Sequence, residues 1–101
     1  MARTGSIETN NKRKRLAGSF KAKRDALSAK IKQKDLPLEE RFELVMKLAK
    51  LPRNSAQIRV RNRCALDGRP RGFCRKMGIS RNKLRELAAK GLLPGIVKAS
   101  W

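Results

Sequence analysis

The chain has 101 residues, which suffice for one small domain and are too few for a multidomain enzyme. Its 27 Lys and Arg residues outnumber 8 Asp and Glu residues, and the formal net charge of +19 indicates a polyanionic partner, either nucleic acid or an anionic membrane surface. Leu, Ile, Val and Phe supply only 23 residues, so we expect a small core and folding that is coupled to binding.

Residues 1–34 predict a basic amino-terminal arm that forms one long helix. Lys and Arg surround a thin apolar stripe at helical spacing, which consists of Leu16, Phe20, Leu27 and Ile31. A solvated basic helix or a disordered tail is the alternative in the free chain. The arm lacks the apolar centre of a signal peptide, and no apolar run reaches the roughly 18 residues of a membrane span. We therefore expect a chain that is neither secreted nor membrane-spanning.

Residues 35–52 predict an amphipathic helix that Asp35 caps and Pro52 stops, with Pro37 in its first turn. The charges that suit the helix dipole are Glu39 and Glu40 at its start and Lys47 and Lys50 at its end. Its apolar face consists of Leu38, Phe42, Val45 and Ala49, widened by Leu44, Leu48 and Leu51. We expect this face to pack against the chain itself or against a neighbouring protein.

Residues 53–101 predict an Arg-rich RNA-binding module on an irregular backbone that is rich in Gly and Pro. Arg59, Arg61 and Arg63 alternate with other residues, so an extended strand would project them to one side at intervals of about 6–7 Å, close to the phosphate spacing of a nucleic-acid strand. Further cations follow at Arg69, Arg71, Arg75 and Lys76. Guanidinium groups bind phosphates through paired hydrogen bonds and stack on bases, so this segment favours RNA binding over a merely solvated surface.

A last short helix is predicted from Ser80, its cap, to about Lys90, with Gly91 ending it. Its apolar residues are Leu84, Leu87 and Ala88, and its outward cations are Arg81, Lys83 and Arg85. The tail ends on Trp101, which is either exposed or anchors the tail by packing or by stacking on a base.

The chain offers little for catalysis or metal binding, so we expect no enzyme, no cofactor and no metal. It has no His and no Tyr, and Glu39, Glu40 and Glu43 cluster at a helix start, where dipole stabilisation explains them. Cys64 and Cys74 lack the paired spacing of a zinc site. We expect two reduced thiols with packing roles, and a disulfide is the alternative.

The motifs LPRNS, RNRC, GRPRG, GISR, LRELA, LPG and KASW follow one another from Leu51 to the end of the chain. In this order they resemble the carboxyl half of the small-subunit ribosomal protein fourteen family. The upstream stretch DLPLEERFELVMKLAKLPRNS is similar to the long bacterial form, so the resemblance covers essentially the whole chain. Some members hold zinc through two CxxC pairs, whereas the matching positions here are Cys64, Asp67, Ser80 and Lys83. The resemblance therefore points to the zinc-independent branch.

The resemblance implies a structural constituent of the small ribosomal subunit in the cytoplasm, and an organelle ribosome is the less favoured alternative. In that role the chain would bind small-subunit rRNA in the head, support assembly and shape the RNA near the aminoacyl-tRNA site. The implied neighbours are small-subunit proteins three and ten and, more loosely, nineteen, with no homo-oligomer and no membrane.

The expected fold class is mainly α, extended and non-globular: a long basic helix, an amphipathic helix, a knuckle-like Arg/Gly-rich module without zinc, and a short helix with a tail. Charge and spacing assign rRNA contact first to Arg59, Arg61, Arg63, Arg69, Arg71, Arg75 and Lys76, then to Arg53, Arg81 and Arg85, and in the arm to Arg13, Arg15, Lys21 and Arg24. The alternative function is a nucleoid-type basic DNA-binding protein. Such a protein needs a dimer surface and a duplex preference, which the thin stripe and the irregular scaffold do not favour.

Overall fold

The structure is a computed structural model that describes residues 2–99, so the prediction for Trp101 lies outside the described residues. The protein is mainly α, as predicted, and its three helices are α1 (Thr4–Ile31), α2 (Leu38–Lys50) and α3 (Arg81–Ala89). Two short 3₁₀ helices, Arg53–Ser55 and Gln57–Arg59, and two short strands, β1 (Phe73–Cys74) and β2 (Ile79–Ser80), lie between α2 and α3. The chain divides into two compact units, Glu8–Val60 and Met1–Ile7 with Arg61–Trp101.

In the unit Glu8–Val60, side chains of α1 hold the segment that follows α2. Arg24 donates from Nε to Ser55 Oγ at 2.9 Å and from Nη2 to the Pro52 carbonyl at 3.2 Å. Arg13 Nε donates to Asn54 Oδ1 at 3.4 Å. Ser55 is 1% exposed and its hydroxyl donates to the Pro52 carbonyl. The first 3₁₀ helix is therefore fixed to α1 by polar contacts rather than by a large apolar core.

The amphipathic helix forms with the predicted acidic first turn and basic last turn, but its predicted cap is wrong. Pro37 occupies the N-cap position and no side chain caps the helix. Asp35 stands in a turn two residues before Pro37, so it does not occupy the N-cap position. On the apolar face, Leu38 and Phe42 are 80% and 65% exposed, so much of this face has no cover from residues 2–99.

The other unit is built around the antiparallel pair β1–β2, in which Phe73 faces Ser80 and Cys74 faces Ile79. Cys64 and Ile79 form its apolar core, at 4% and 7% exposure. As predicted, Ser80 caps α3, because its Oγ accepts from the Lys83 N–H at 3.4 Å. Gly91, at φ +71°, follows the last residues of α3 and ends the helix where it was predicted to end.

The start of the chain belongs to the same unit and packs on Gly68. The Ala2 N–H donates to the Asp67 carbonyl at 3.4 Å. Gly68 is buried at φ +73°, and a Cβ placed on it would stand 2.6 Å from Ile7 Cδ1. Only glycine combines this backbone conformation with this close approach, so Gly68 is the position at which the first turn of α1 meets the loop.

Candidate RNA interface

The knuckle, residues 64–80, is closed on itself by backbone hydrogen bonds. The Cys64 N–H donates to the Arg69 carbonyl at 3.0 Å, which closes the first turn. The Ala65 N–H donates to the Gly78 carbonyl at 3.1 Å, which ties this turn to the β1–β2 hairpin. The loops that carry the arginines are therefore fixed by hydrogen bonds of their own backbone.

The guanidinium groups of Arg61 and Arg63 donate hydrogen bonds to backbone carbonyls of the knuckle. Arg61 Nη2 donates to the Pro70 carbonyl at 3.2 Å, and Arg63 Nη1 donates to the Gly68 carbonyl at 3.0 Å. Arg63 is half-buried, and its Nε is buried with no hydrogen-bond partner among the described residues. A guanidinium has five N–H donors, so an arginine that holds a loop carbonyl can also bind a phosphate oxygen.

The prediction of one extended strand carrying Arg59, Arg61 and Arg63 is wrong. Arg59 ends the second 3₁₀ helix, Gln57–Arg59, in which its N–H donates to the Ala56 carbonyl at 3.2 Å. A 3₁₀ turn rises only about 2 Å per residue, so the three guanidinium groups do not follow the spacing of a single strand. Arg59 is exposed at this turn, whereas Arg61 and Arg63 donate hydrogen bonds to carbonyls of the knuckle.

The knuckle itself presents Arg71, Arg75 and Lys76 as exposed side chains. Arg75 and Lys76 lie in the turn that joins β1 to β2, which the Gly78 N–H closes by donating to the Cys74 carbonyl at 2.8 Å. A rigid turn holds its cations in place before a partner arrives, which lowers the entropy lost on binding.

The remaining predicted cations fall into three groups. Arg69 is half-buried, and its backbone helps to close the first turn of the knuckle, since its carbonyl accepts from the Cys64 N–H and its N–H donates to Asp67 Oδ1 at 3.2 Å. Arg53, Arg81 and Arg85 are exposed, as are Arg15 and Lys21 on α1. Arg13 and Arg24 are half-buried and donate to Asn54, Ser55 and Pro52, so their guanidinium groups take part in holding the chain together.

The four positions that match the zinc ligands of some relatives form a polar cluster without metal-binding character. The Cys64 thiol donates to the Asp67 carboxylate and, with the Arg69 N–H and the charge of Lys83, holds the pKa of Asp67 below its ordinary value. Ser80 Oγ accepts from the Lys83 N–H, and Lys83 Nζ pairs with a glutamate on α3. One thiol, one carboxylate, one hydroxyl and one ammonium do not make a zinc shell. Within residues 2–99 no group of three or more His, Cys, Asp or Glu side chains could hold a metal ion.

The cationic surface of the knuckle is not neutralised within the described part of the chain. Both ion pairs found among residues 2–99 involve Glu86, which pairs with Lys83 at 3.3 Å and Lys90 at 3.4 Å. These two ammonium groups hold the pKa of Glu86 below its ordinary value, Lys83 having the larger effect. The charges of the exposed arginines of the knuckle are therefore available to bind a polyanionic partner.

Some residues that matter in this arrangement were missed by sequence reasoning. Asn54 and Ser55 accept hydrogen bonds from arginines 41 and 31 residues earlier in the chain, and no local pattern predicts such a pairing. Lys98, in the tail, lines a groove together with residues of α3, among them Arg81 and Arg85. The sequence shows Lys98 as one more cation, but the tail has no helical or strand periodicity that would predict which element this side chain lies against.

The chain is similar to known proteins over its whole length. The family model described as Ribosomal protein S14p/S29e matches residues 47–100. The chain is 60% identical over 101 residues to a protein of Rickettsia felis called small ribosomal subunit protein uS14, and the match covers all of both chains. Proteins of the same name from Rickettsia bellii and Rickettsia prowazekii are 60% and 57% identical, again over the full length of both chains. Within residues 2–99 the structure has no helix with the length and apolar character that crossing a bilayer requires.

Proposed function

Since the chain belongs to the S14p/S29e family of ribosomal proteins, we propose that it is a structural constituent of the small ribosomal subunit and binds small-subunit rRNA through the knuckle. One observation carries this proposal: Arg71, Arg75 and Lys76 are exposed on loops that backbone hydrogen bonds fix, and none of them has an ion pair among the described residues. Arg53 and Arg59, which precede the knuckle in the sequence, are exposed as well.

The irregular backbone of the knuckle suits folded RNA better than a regular duplex. A duplex DNA reader places a helix or a two-stranded ribbon in a groove, whereas here the cations lie on turns between very short strands. Folded RNA offers phosphates at irregular spacing together with unstacked bases, which arginines on turns can reach. The nucleoid-type alternative is not favoured by the family to which the chain belongs.

We further propose that α2 meets a neighbouring protein of the subunit. Leu38, Phe42 and Val45 are exposed on one face, beside Glu39 and Glu43, whose carboxylates would repel rRNA phosphates. A basic ribosomal protein with apolar residues at its surface would suit this face. The candidates are the expected neighbours, small-subunit proteins three, ten and nineteen. In the head of the subunit, such contacts would support assembly and the RNA shape near the aminoacyl-tRNA site.

Sedimentation tests the function directly. A tagged chain in lysate is run through a sucrose gradient at moderate and then at high salt, with and without nuclease. We expect stoichiometric migration with small subunits that survives high salt and is lost when the RNA is digested. Migration with chromosomal DNA, or at the top of the gradient, would contradict the proposal.

A matched pair of variants ties the result to the knuckle. Replacing Arg75 and Lys76 with Ala removes two exposed cations from the β1–β2 turn. Replacing Lys32 and Lys34 with Ala removes the same charge from exposed positions after α1. We expect the knuckle variant to leave the subunit at lower salt than the control, because it loses phosphate contacts.

A further inference from the structure

A groove of about 570 Å³ lies between α3 and the tail, and this volume is in the range of small-ligand sites. One wall is the face of α3 that carries Arg81, Leu84, Arg85 and Ala88, at the spacing of a single helical face. The opposite wall consists of residues 96–99 of the tail. Its lining includes three apolar residues, Leu84, Ala88 and Ile96, which we call the floor of the groove.

The charges around α3 are divided between two opposite faces. Glu86 pairs with Lys83 and Lys90, and these three residues lie about half a turn away from the groove. Among the described residues the lining of the groove contains no carboxylate, and it contains three cations, Arg81, Arg85 and Lys98. The groove therefore combines an apolar floor with a positive rim, which matches a ligand that has flat apolar faces and anionic ends.

We propose that this groove binds one unpaired nucleotide of the ribosomal RNA. The base lies against Leu84, Ala88 and Ile96, and the cations of the rim bind the phosphates on either side of it. The proposal rests on the rRNA-binding function proposed above. A base within a helix has both faces covered by its neighbours, so the ligand is a nucleotide from a bulge or a loop, whose base is splayed out.

Asn82 is the residue that reads the base in this arrangement. Among the residues that line the groove, it is the one whose side chain has both a hydrogen-bond donor and an acceptor. An Asn amide can pair with N6 and N7 of adenine at once, so adenine is the expected base. Changing that adenine should lower the affinity of the wild-type chain about tenfold or more, and Asn82→Ala should abolish this discrimination.

Chemical probing of small-subunit rRNA with the full chain bound tests the site. Val97→Asp places a carboxylate beside the groove at a position that is 87% exposed, where folding does not depend on the side chain. Ala29→Asp is the control, since it introduces the same carboxylate at an exposed position on α1 that belongs to neither the groove nor the knuckle. We expect one unpaired adenine to be protected by the wild type and the control and to regain its reactivity with Val97→Asp, while other protections remain.

Ala88→Leu, which fills the floor of the groove, provides a second readout. We expect it to expose the same adenine while the salt dependence of binding stays unchanged, because no phosphate contact is lost. If both variants keep the wild-type protection pattern, or if Val97→Asp releases a neighbouring protein and leaves the RNA protections intact, the groove is not a nucleotide site. If the wild-type chain protects no rRNA nucleotide, the proposed rRNA binding itself is wrong.

Discussion

Gly68→Ala tests the contact between the first turn of α1 and the knuckle, and the structure predicts that this substitution destabilises the chain. At φ +73°, an Ala pays about 1–2 kcal/mol for the left-handed conformation. Its Cβ would also stand 2.6 Å from Ile7 Cδ1 and 2.8 Å from Ile7 Cγ1, and such overpacking costs about 1–3 kcal/mol. Ala also has fewer conformations than Gly in the unfolded chain, and this entropy effect offsets about 0.4–1 kcal/mol of the loss in stability. We therefore expect a net loss of about 1–5 kcal/mol.

Urea unfolding followed by far-UV circular dichroism measures this loss, and two other glycines serve as controls. Gly78 has φ +70° but no heavy atom within 4 Å of a Cβ placed on it, so Gly78→Ala should lose only about 1 kcal/mol from backbone strain. Gly18 lies inside α1 with equally open surroundings, so Gly18→Ala should stabilise the chain by up to about 1 kcal/mol.

A double variant identifies the contact. Ile7→Ala removes the atoms that the new Cβ would meet, so Gly68→Ala should cost about 1–3 kcal/mol less in that background than in the wild type. If Gly68→Ala costs no more than Gly78→Ala, or if Ile7→Ala brings no relief, the first turn of α1 does not pack on Gly68 as described.

Three further predictions concern binding, pH and metal. Arg61→Ala and Arg63→Ala should each weaken RNA binding and lower the slope of log K against log salt by about one unit, and an unchanged slope in a filter-binding titration would remove that residue from the interface. The pKa of Asp67 is lowered in the folded chain, so its stabilising effect is present above its ordinary value of 3.8 and is lost as the pH falls below it. The urea midpoint should therefore fall in acid, and it should fall less in Asp67→Asn; an equal fall in both chains would contradict the assignment. Chelators should leave the far-UV spectrum unchanged, and a chelator-sensitive spectrum would mean that metal supports the fold.

The helices were predictable because their signals are local. The spacing of apolar residues, the acidic and basic ends of α2 and the Ser80 cap of α3 all act within a few residues of one another. The cap of α2 was predicted wrongly for a local reason as well. Asp35 has the right chemistry, but it lies in a turn two residues before the N-cap position, which Pro37 occupies.

The conformation around Arg59 was not predictable from alternation alone. A strand needs a neighbour that satisfies its backbone groups, whereas this segment satisfies its own by 3₁₀ bonds, such as Val60 N–H to the Gln57 carbonyl at 3.1 Å. The roles of Arg13 and Arg24 were hidden for a different reason. A cation on a basic helix has the same sequence signal whether it faces RNA or a partner in its own chain, and here the partners lie far along the chain.

The start of the chain and the knuckle belong to one compact unit, which hydrogen bonds and packing stabilise. A structural zinc can supply about 10 kcal/mol or more to a small fold, whereas a single hydrogen bond adds about 1 kcal/mol. The bonds around Cys64 and Asp67 therefore replace only part of what a metal provides. Packing of Ile7 on Gly68 and the Ala2 bond to the Asp67 carbonyl add contacts from outside the knuckle. The first turn of α1 thus adds packing to the knuckle from outside its own loops.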